Sequence, residues 1–263
     1  MNYITISVWQ LGLAALLILI NLGISIALRL GLERSLAIAS VRMVVQLLLV
    51  GYVLEWIFAL NNPILVVGIS LFMASVAALA AINRTARRFA RMFWSSFISI
   101  LSTTFCLTSL VVIGILQVRP WYDPQYFIPL LGMVMGNALS GVSLGLDRFL
   151  EGLVSRQPEI ETLLSLGATR WEAARGSIRD ALRTGMLPTI NSMMVVGLVS
   201  LPGMMTGQIL AGADPLDAVR YQITIFFAIA AGTALATIIV VLLSFRSLFS
   251  SSHQLRLDRL QKK

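Results

Sequence analysis

Residues 161–192, ETLLSLGATRWEAARGSIRDALRTGMLPTINS, are a polar and basic stretch inside an otherwise apolar chain. The stretch reads as two short helices broken at Gly167-Ala168. Pro158, just upstream, suits a first helical turn, where its missing N–H would be unpaired anyway. Glu159 and Glu161 then sit near the positive end of the helix dipole, and Gly167 can end this helix with a positive φ. Thr169 followed by Glu172 fits a capping box, each side chain satisfying a free backbone donor. Beyond it, Trp171, Ala174, Ile178, Ala181, Leu182 and Gly185 share one face, and Arg170, Arg175, Arg179 and Arg183 spread over the rest. Pro188 marks entry to the next apolar run.

What surrounds this stretch excludes an ordinary soluble domain. The chain has 263 residues, 57% hydrophobic and 12% charged, with a mean hydropathy of +0.86; soluble chains carry roughly 25% charged residues. Seven apolar runs are long enough to span a bilayer, at about 4–28, 36–59, 64–82, 92–118, 126–147, 187–210 and 221–245,. The fold class is therefore all-α and polytopic, with about seven transmembrane helices in one domain over 1–263. The first run has no basic residues before it and Arg29 and Arg34 after it. That order is the reverse of a secretory signal, so the expected topology has the N-terminus outside and the C-terminus cytoplasmic. Alternation puts 29–35, 83–91, 148–186 and 246–263 on one side, and these hold 17 of the 20 Lys and Arg residues. The positive-inside rule makes that side cytoplasmic. The net charge of +8 is thus read as topology and contact with lipid headgroups, not nucleic-acid binding. The outer turns 60–63, 119–125 and 211–219 are short. The only Cys, Cys106, excludes a disulfide within the chain and is expected to be buried; with His253 as the only His, a Cys/His zinc site is excluded too,.

Small residues recur at spacing four: Gly132, Gly136 and Ser140, then Gly141 and Gly145, then Gly203 and Gly207. Each set lies on one helical face and permits close packing, either within the chain, against a second copy, or along a translocation seam. Pro202-Gly203 should kink or unwind the sixth run, and irregular backbone at membrane depth is tolerated only inside protein or along a wet cavity. Broken helices point to substrate sites in transporters, although a packing kink reads equally well. Nearby stand Met204, Met205, Thr206 and Gln208, with Met133, Met135 and Asn137 in the fifth run. Thioethers suit soft metals, so Met133, Met204 and Met205 are weak metal candidates, but Met also fills gaps between helices. Arg42 and Gln46 lie one turn apart in the second run. An Arg near the bilayer centre costs on the order of 3 kcal/mol, so Arg42 should snorkel or pair, with Asp147 or a headgroup phosphate as partner. Asn191 is a further polar group at membrane depth. Glu55, Asp123, Asp214 and Asp217 stand near the outer side, where they either attract a cation or are plain solvated charges.

For the opening stretch two readings stand: an interfacial helix on anionic lipid, or a glycine turn presented to a partner's groove. The residues resemble the cytoplasmic loop of ABC-transporter permeases, in which an acidic residue precedes a glycine by six positions, as Glu161 precedes Gly167. Two features depart from importer loops: Pro188 lies 21 positions after Gly167, and Thr162-Leu163 replace the usual alanines. Ser165 to Thr169 (SLGAT), Leu187-Pro188-Thr189, Val196 to Met205 (VGLVSLPGMM), Tyr221-Gln222, Gly132-Met133, Gly136 to Ala138 and Gln46 to Tyr52 resemble the FetB-type permeases. That resemblance implies iron export in bacteria; the plant relatives are tied to aluminium tolerance and to nucleotide-sugar handling. It also implies a permease domain whose region 148–186 couples to a cytoplasmic ABC ATPase through Glu161, Leu166, Gly167, Ala168, Thr169, Arg170 and Trp171. The substrate path would involve Asn137, Pro202, Gly203, Met204, Met205, Gln208, Arg42 and Gln46. The chain has no GxxxxGK[ST] loop, so ATP and magnesium are expected on the partner, with no cofactor on this chain and no catalytic residue in it. A homodimer of permeases in the inner (plasma) membrane is the expected assembly. The alternatives are a secondary transporter or channel driven by an ion gradient, and a permease for another solute such as a nucleotide sugar.

Overall fold

A computed structural model describes residues 7–60, 62–250 and 252–262. Asn61 of the first outer turn, Lys263 and the start of the first apolar run lie outside the described residues. The described helices are α1 (Val8–Ala27), α2 (Glu33–Leu60), α3 (Pro63–Arg84), α4 (Met92–Ser109), α5 (Pro124–Ser155), α6 (Gln157–Ser165), α7 (Arg170–Val195), α8 (Gly203–Leu210) and α9 (Pro215–Leu248). Two-residue strands β1 (Arg87–Arg88) and β2 (Gln261–Lys262) pair antiparallel. Helix α4 runs on as a π-helix over Leu110–Ile115. Six of these helical segments are long and apolar enough to cross a membrane, so the protein is an all-α polytopic membrane protein.

The chain forms two compact units, one made of α1 and α2 and the other running from α3 to the C-terminal residues. In the first, the turn between the helices uses Arg29 and Gly31 at φ 51° and 69°. Ser25 staples it: its Oγ donates to Glu33 Oε2 at 3.1 Å and accepts the Leu32 N–H at 3.3 Å. Arg42 and Gln46 are exposed on α2.

The second unit is built around α5, α7 and α9. A Cβ on Gly141 would strike Thr233, and one on Gly145 would come within 2.6 Å of Thr237 Cγ2 and 3.3 Å of the Ala181 carbonyl. A Cβ on Gly185 would stand 2.8 Å from the Gly141 carbonyl. Rising numbers on α5 therefore meet falling numbers on α7 and rising numbers on α9, so α7 runs antiparallel to α5 and α9 runs parallel to it. The ladder Gly141/Gly145 is thus spent on packing within the chain. By contrast, a Cβ on Gly136, Gly203 or Gly207 would meet nothing within 4 Å among the described residues.

Helix α4 reverses the soluble-protein pattern. Its buried face carries Ser95, Ser96, Ser99, Thr103, Thr104 and Thr108, while Trp94 and Ile98 are exposed. Where the outer solvent is hydrocarbon, apolar side chains gain nothing by facing inward, and small hydroxyl residues let helices approach. Four of the six hydroxyls donate to nearby backbone carbonyls, Thr103 and Thr104 Oγ1 to those of Ser99 and Ile100 at 2.6 and 2.7 Å, whereas the buried Ser96 and Thr108 hydroxyls have no partner among the described residues. Cys106 is exposed, contrary to the expected burial, because it lies off this hydroxyl-lined face.

The sixth apolar run, 187–210, is not one helix. Helix α7 passes through Pro188 without a break and stops at Val195, and α8 begins at Gly203. The expected kink is a complete interruption. The basic stretch is accordingly no separate hairpin, since α7 joins it directly to the break.

Candidate functional site

The basic end of the bundle is built from α6, α7 and the C-terminal tail. Pro158 sits in the first turn of α6 with Glu159, and Ile160 is buried beneath. Gly167 holds φ 91° with open space around it. Its positive φ lets the chain reverse without the steric cost an L side chain would incur,. Thr169 Oγ1 accepts the Glu172 N–H at 3.3 Å, and Glu172 Oε2 accepts the Thr169 N–H at 2.8 Å, forming the capping box. The Thr169 N–H foremost, and then the Thr169 hydroxyl, which donates to the same Glu172 Oε2 at 2.7 Å, hold the Glu172 carboxyl below the usual carboxylate range. Between the two helices Leu166 is 79% exposed, an apolar tip on a polar element. Glu161 is exposed and accepts from Gln157 Nε2 at 2.7 Å. Ala168 is half-buried.

Arg170 and Trp171 face the tail. His253 Nδ1 accepts the Arg170 backbone N–H at 2.9 Å, Arg170 Nη1 donates to the Ser250 carbonyl at 3.2 Å, and its guanidinium lies 5.7 Å from the Phe245 ring centroid. Trp171 packs edge-on to the same ring at 5.7 Å. The tail turns back where the Ser250 N–H bonds the Gln254 carbonyl at 2.9 Å and reaches β1, so it ties α7 to the α3–α4 connection. Arg156 Nη2 pairs with Asp180 at 2.9 Å and links the end of α5 to α7. In the sequence residues 246–263 read only as topological charge; the single His followed by a basic-apolar alternation is the one signal there of this role.

At the other end of α7 the chain is unwound over 196–202. Gly197 holds φ 85°, and its N–H bonds the Ser200 carbonyl at 2.9 Å, while Val199 N–H bonds the Val195 carbonyl at 3.0 Å. Pro202 has no N–H to continue a helix and stands as the N-cap of α8, with no side-chain hydrogen bond there. Gly203 opens the new helix, and Thr206 Oγ1 returns to the Pro202 carbonyl at 3.1 Å. Met204 packs partly against the core, Met205 is half-buried, and the buried Gln208 Oε1 has no hydrogen-bond partner among the described residues. Met204, Met205 and Gln208 thus share α8, which lies against α9. Asn137 is exposed on α5 and donates to its own helix at the Met133 carbonyl, 2.9 Å away; Met133 is half-buried. Arg42 and Gln46 belong to the other compact unit. Asp147, one partner considered for Arg42, accepts the Ala86 N–H at 2.9 Å. Asp123 and Asp214 cap α5 and α9, and Asp217 pairs with Arg220 at 3.0 Å. Among the described residues no three His, Cys, Asp or Glu side chains gather as a metal cluster.

Residues 8–249 match the uncharacterised protein family UPF0014. A UPF0014 membrane protein of Synechocystis is 41% identical over 94% of both chains. The probable iron export permease protein FetB of Escherichia coli is 38% identical over the full length of both. The protein ALUMINUM SENSITIVE 3 of Arabidopsis thaliana is 33% identical over 92% of this chain and 88% of its own. No solved structure is a significant match. The chain belongs to the UPF0014 family.

Proposed function

We propose that this UPF0014 member is the membrane-spanning permease of an ABC transporter that exports a metal ion such as iron. ATP and magnesium are handled by a separate cytoplasmic ATPase, and two permease chains form the transporter in the inner (plasma) membrane. The observation that carries this reading is the single helix α7, which runs unbroken from the glycine turn at Gly167 to the unwound segment 196–202. Leu166, exposed at the turn, is the apolar knob for a groove on the ATPase. Glu161, Ala168, Thr169, Arg170 and Trp171 fix the turn and its angle to α7. At 26 residues and about 1.5 Å per residue, α7 carries a push at the turn some 39 Å toward α8. There Pro202, Gly203, Met204, Met205 and Gln208 form the movable part of the substrate path, with Asn137 of α5 assigned to the same path. The name of the E. coli relative supports iron as cargo.

The test is Gly167→Arg, which places a bulky side chain at a positive φ in the turn. The variant should insert in the membrane in normal amount yet fail to copurify with the ATPase and lose ATP-driven metal efflux from proteoliposomes. Wild-type copurification together with wild-type efflux would overturn the coupling role.

A further inference from the structure

One cavity in the α3-to-C-terminus unit is not part of the proposed translocation machinery. It measures about 1010 Å³ and opens where α4 begins, beside the last turns of α9 and the returning tail. Four arginines line it, Arg88, Arg91, Arg246 and Arg259, with one carboxylate, Asp258. That carboxylate is already engaged: Arg256 Nε and Nη2 hold its two oxygens at 3.1 and 3.2 Å. Two of the lining arginines are committed only in part. Arg88 Nη2 donates to Asn83 Oδ1 at 2.9 Å, while its buried Nε has no hydrogen-bond partner among the described residues. Arg259 Nη1 donates to the Ser247 carbonyl at 2.7 Å. A buried guanidinium N–H without a partner is costly and marks a place for an acceptor. The opposite wall is apolar: Trp94 and Ile98, one turn apart on α4, are 60% and 50% exposed and stand with Leu243 of α9. Both helices are membrane-spanning candidates, so this wall leads from a cluster of positive charge into the hydrocarbon layer. Trp at such a boundary is the common interfacial arrangement.

We propose that this cavity binds an anionic phospholipid, its headgroup phosphate on Arg88, Arg91 and Arg246 and its acyl chain along Trp94, Ile98 and Leu243. The required chemistry is a phosphate diester attached to a hydrocarbon chain. Basic pockets between transmembrane helices suit such headgroups, and guanidinium forks match phosphate oxygens in pairs. The bound lipid would brace α4 against α9 and the tail, the same tail that holds Arg170 of α7. The site does not depend on the identity of the exported cargo.

The experiment is native mass spectrometry of the full chain in neutral detergent, titrated with phosphatidylglycerol, phosphatidylcholine or inorganic phosphate. Phosphatidylglycerol should be retained and phosphatidylcholine lost. Among the described residues the Arg91 and Arg246 side chains donate to no group, so Arg91→Gln/Arg246→Gln leaves the bonds between described residues in place. It should weaken phosphatidylglycerol binding about 25-fold, and Arg246→Gln alone about fivefold, from roughly one basic contact each. Arg175→Gln/Arg179→Gln, which removes equal charge from α7, should change it less than about twofold, since that pair lies outside the cavity. Trp94→Ala should weaken lipid but not phosphate. Equal retention of phosphatidylcholine, or an equal loss in the α7 pair, would overturn the proposal. Full displacement of the lipid by inorganic phosphate would assign the arginines to free phosphate and likewise overturn it.

Discussion

At its first turn α7 is held by a capping box, an imidazole acceptor, an aromatic edge contact and the folded tail. At its last turn the same helix stops before a loop whose Leu198 and Val199 are 90% and 82% exposed. Between these ends Ala181 and Gly185 lie flush against α5, where interhelical distance leaves no room for adjustment. The contrast suits a lever: one end gripped, the middle running in a close-fitted seam, the far end free to change shape. Local stability differs for the same reasons, since regions with few buried contacts open most readily.

The comparison breaks first if the seam is opened. Gly185→Val places carbon against the Gly141 carbonyl and Thr237, and overpacking of this kind costs about 3 kcal/mol. Thermal melting in detergent should show the loss, and Gly136→Val, which meets open space, should show little. The bare end is tested by Pro202→Ala with Met204→Ala, which restores a helix donor and removes a thioether at the break. Efflux should fall at least about tenfold, or roughly 1.4 kcal/mol in the barrier, with melting unchanged; unaltered efflux would remove the segment from the substrate path. At the gripped end, Thr169→Ala should cost about 1 kcal/mol, the usual worth of an N-cap, read as faster amide exchange in the first turn of α7. His253→Ala should expose the Arg170 amide to exchange without disturbing the α5 seam.

The smallest effect is with pH. The Glu172 carboxyl is held below its ordinary range by Thr169, so its contribution is present above the unfolded carboxylate pKa. It is lost as pH falls through the lower folded value. Protection of the first turn of α7 should be flat from neutrality to about pH 5 and decline below about pH 4, and Glu172→Gln should abolish that decline. A decline unchanged in Glu172→Gln would show that another group controls the turn.

Much of the basic end was legible because its signals are local. Pro158, Gly167 and the Thr169–Glu172 pair each prescribe a backbone conformation or a cap within a few residues, and each stands as the pattern requires. Gly141 and Gly145 announced a close-packed face but not its partner, since only the fold brings Ala181, Gly185, Thr233 and Thr237 to it. The exposed Cys106 and the buried Ser and Thr of α4 escaped a reading tuned to water, because in hydrocarbon the apolar face turns outward. The run 187–210 read as one span kinked at Pro202-Gly203, because hydropathy sums composition and cannot see that the break reaches back to Gly197.

The sequence by itself determined an all-α chain with apolar helical runs, a basic set of connections and a glycine turn with its caps, since hydropathy, charge placement and capping are properties of neighbouring residues. Tertiary structure alone decided three things: that α7 links that turn to an interruption, that the tail folds back through His253 and β2, and that four arginines converge beside Trp94. The tail and the arginine cluster depend on side chains far apart in the chain meeting in space, and the run of α7 through Pro188 is set by its packing against α5 and α9, none of which local propensity encodes.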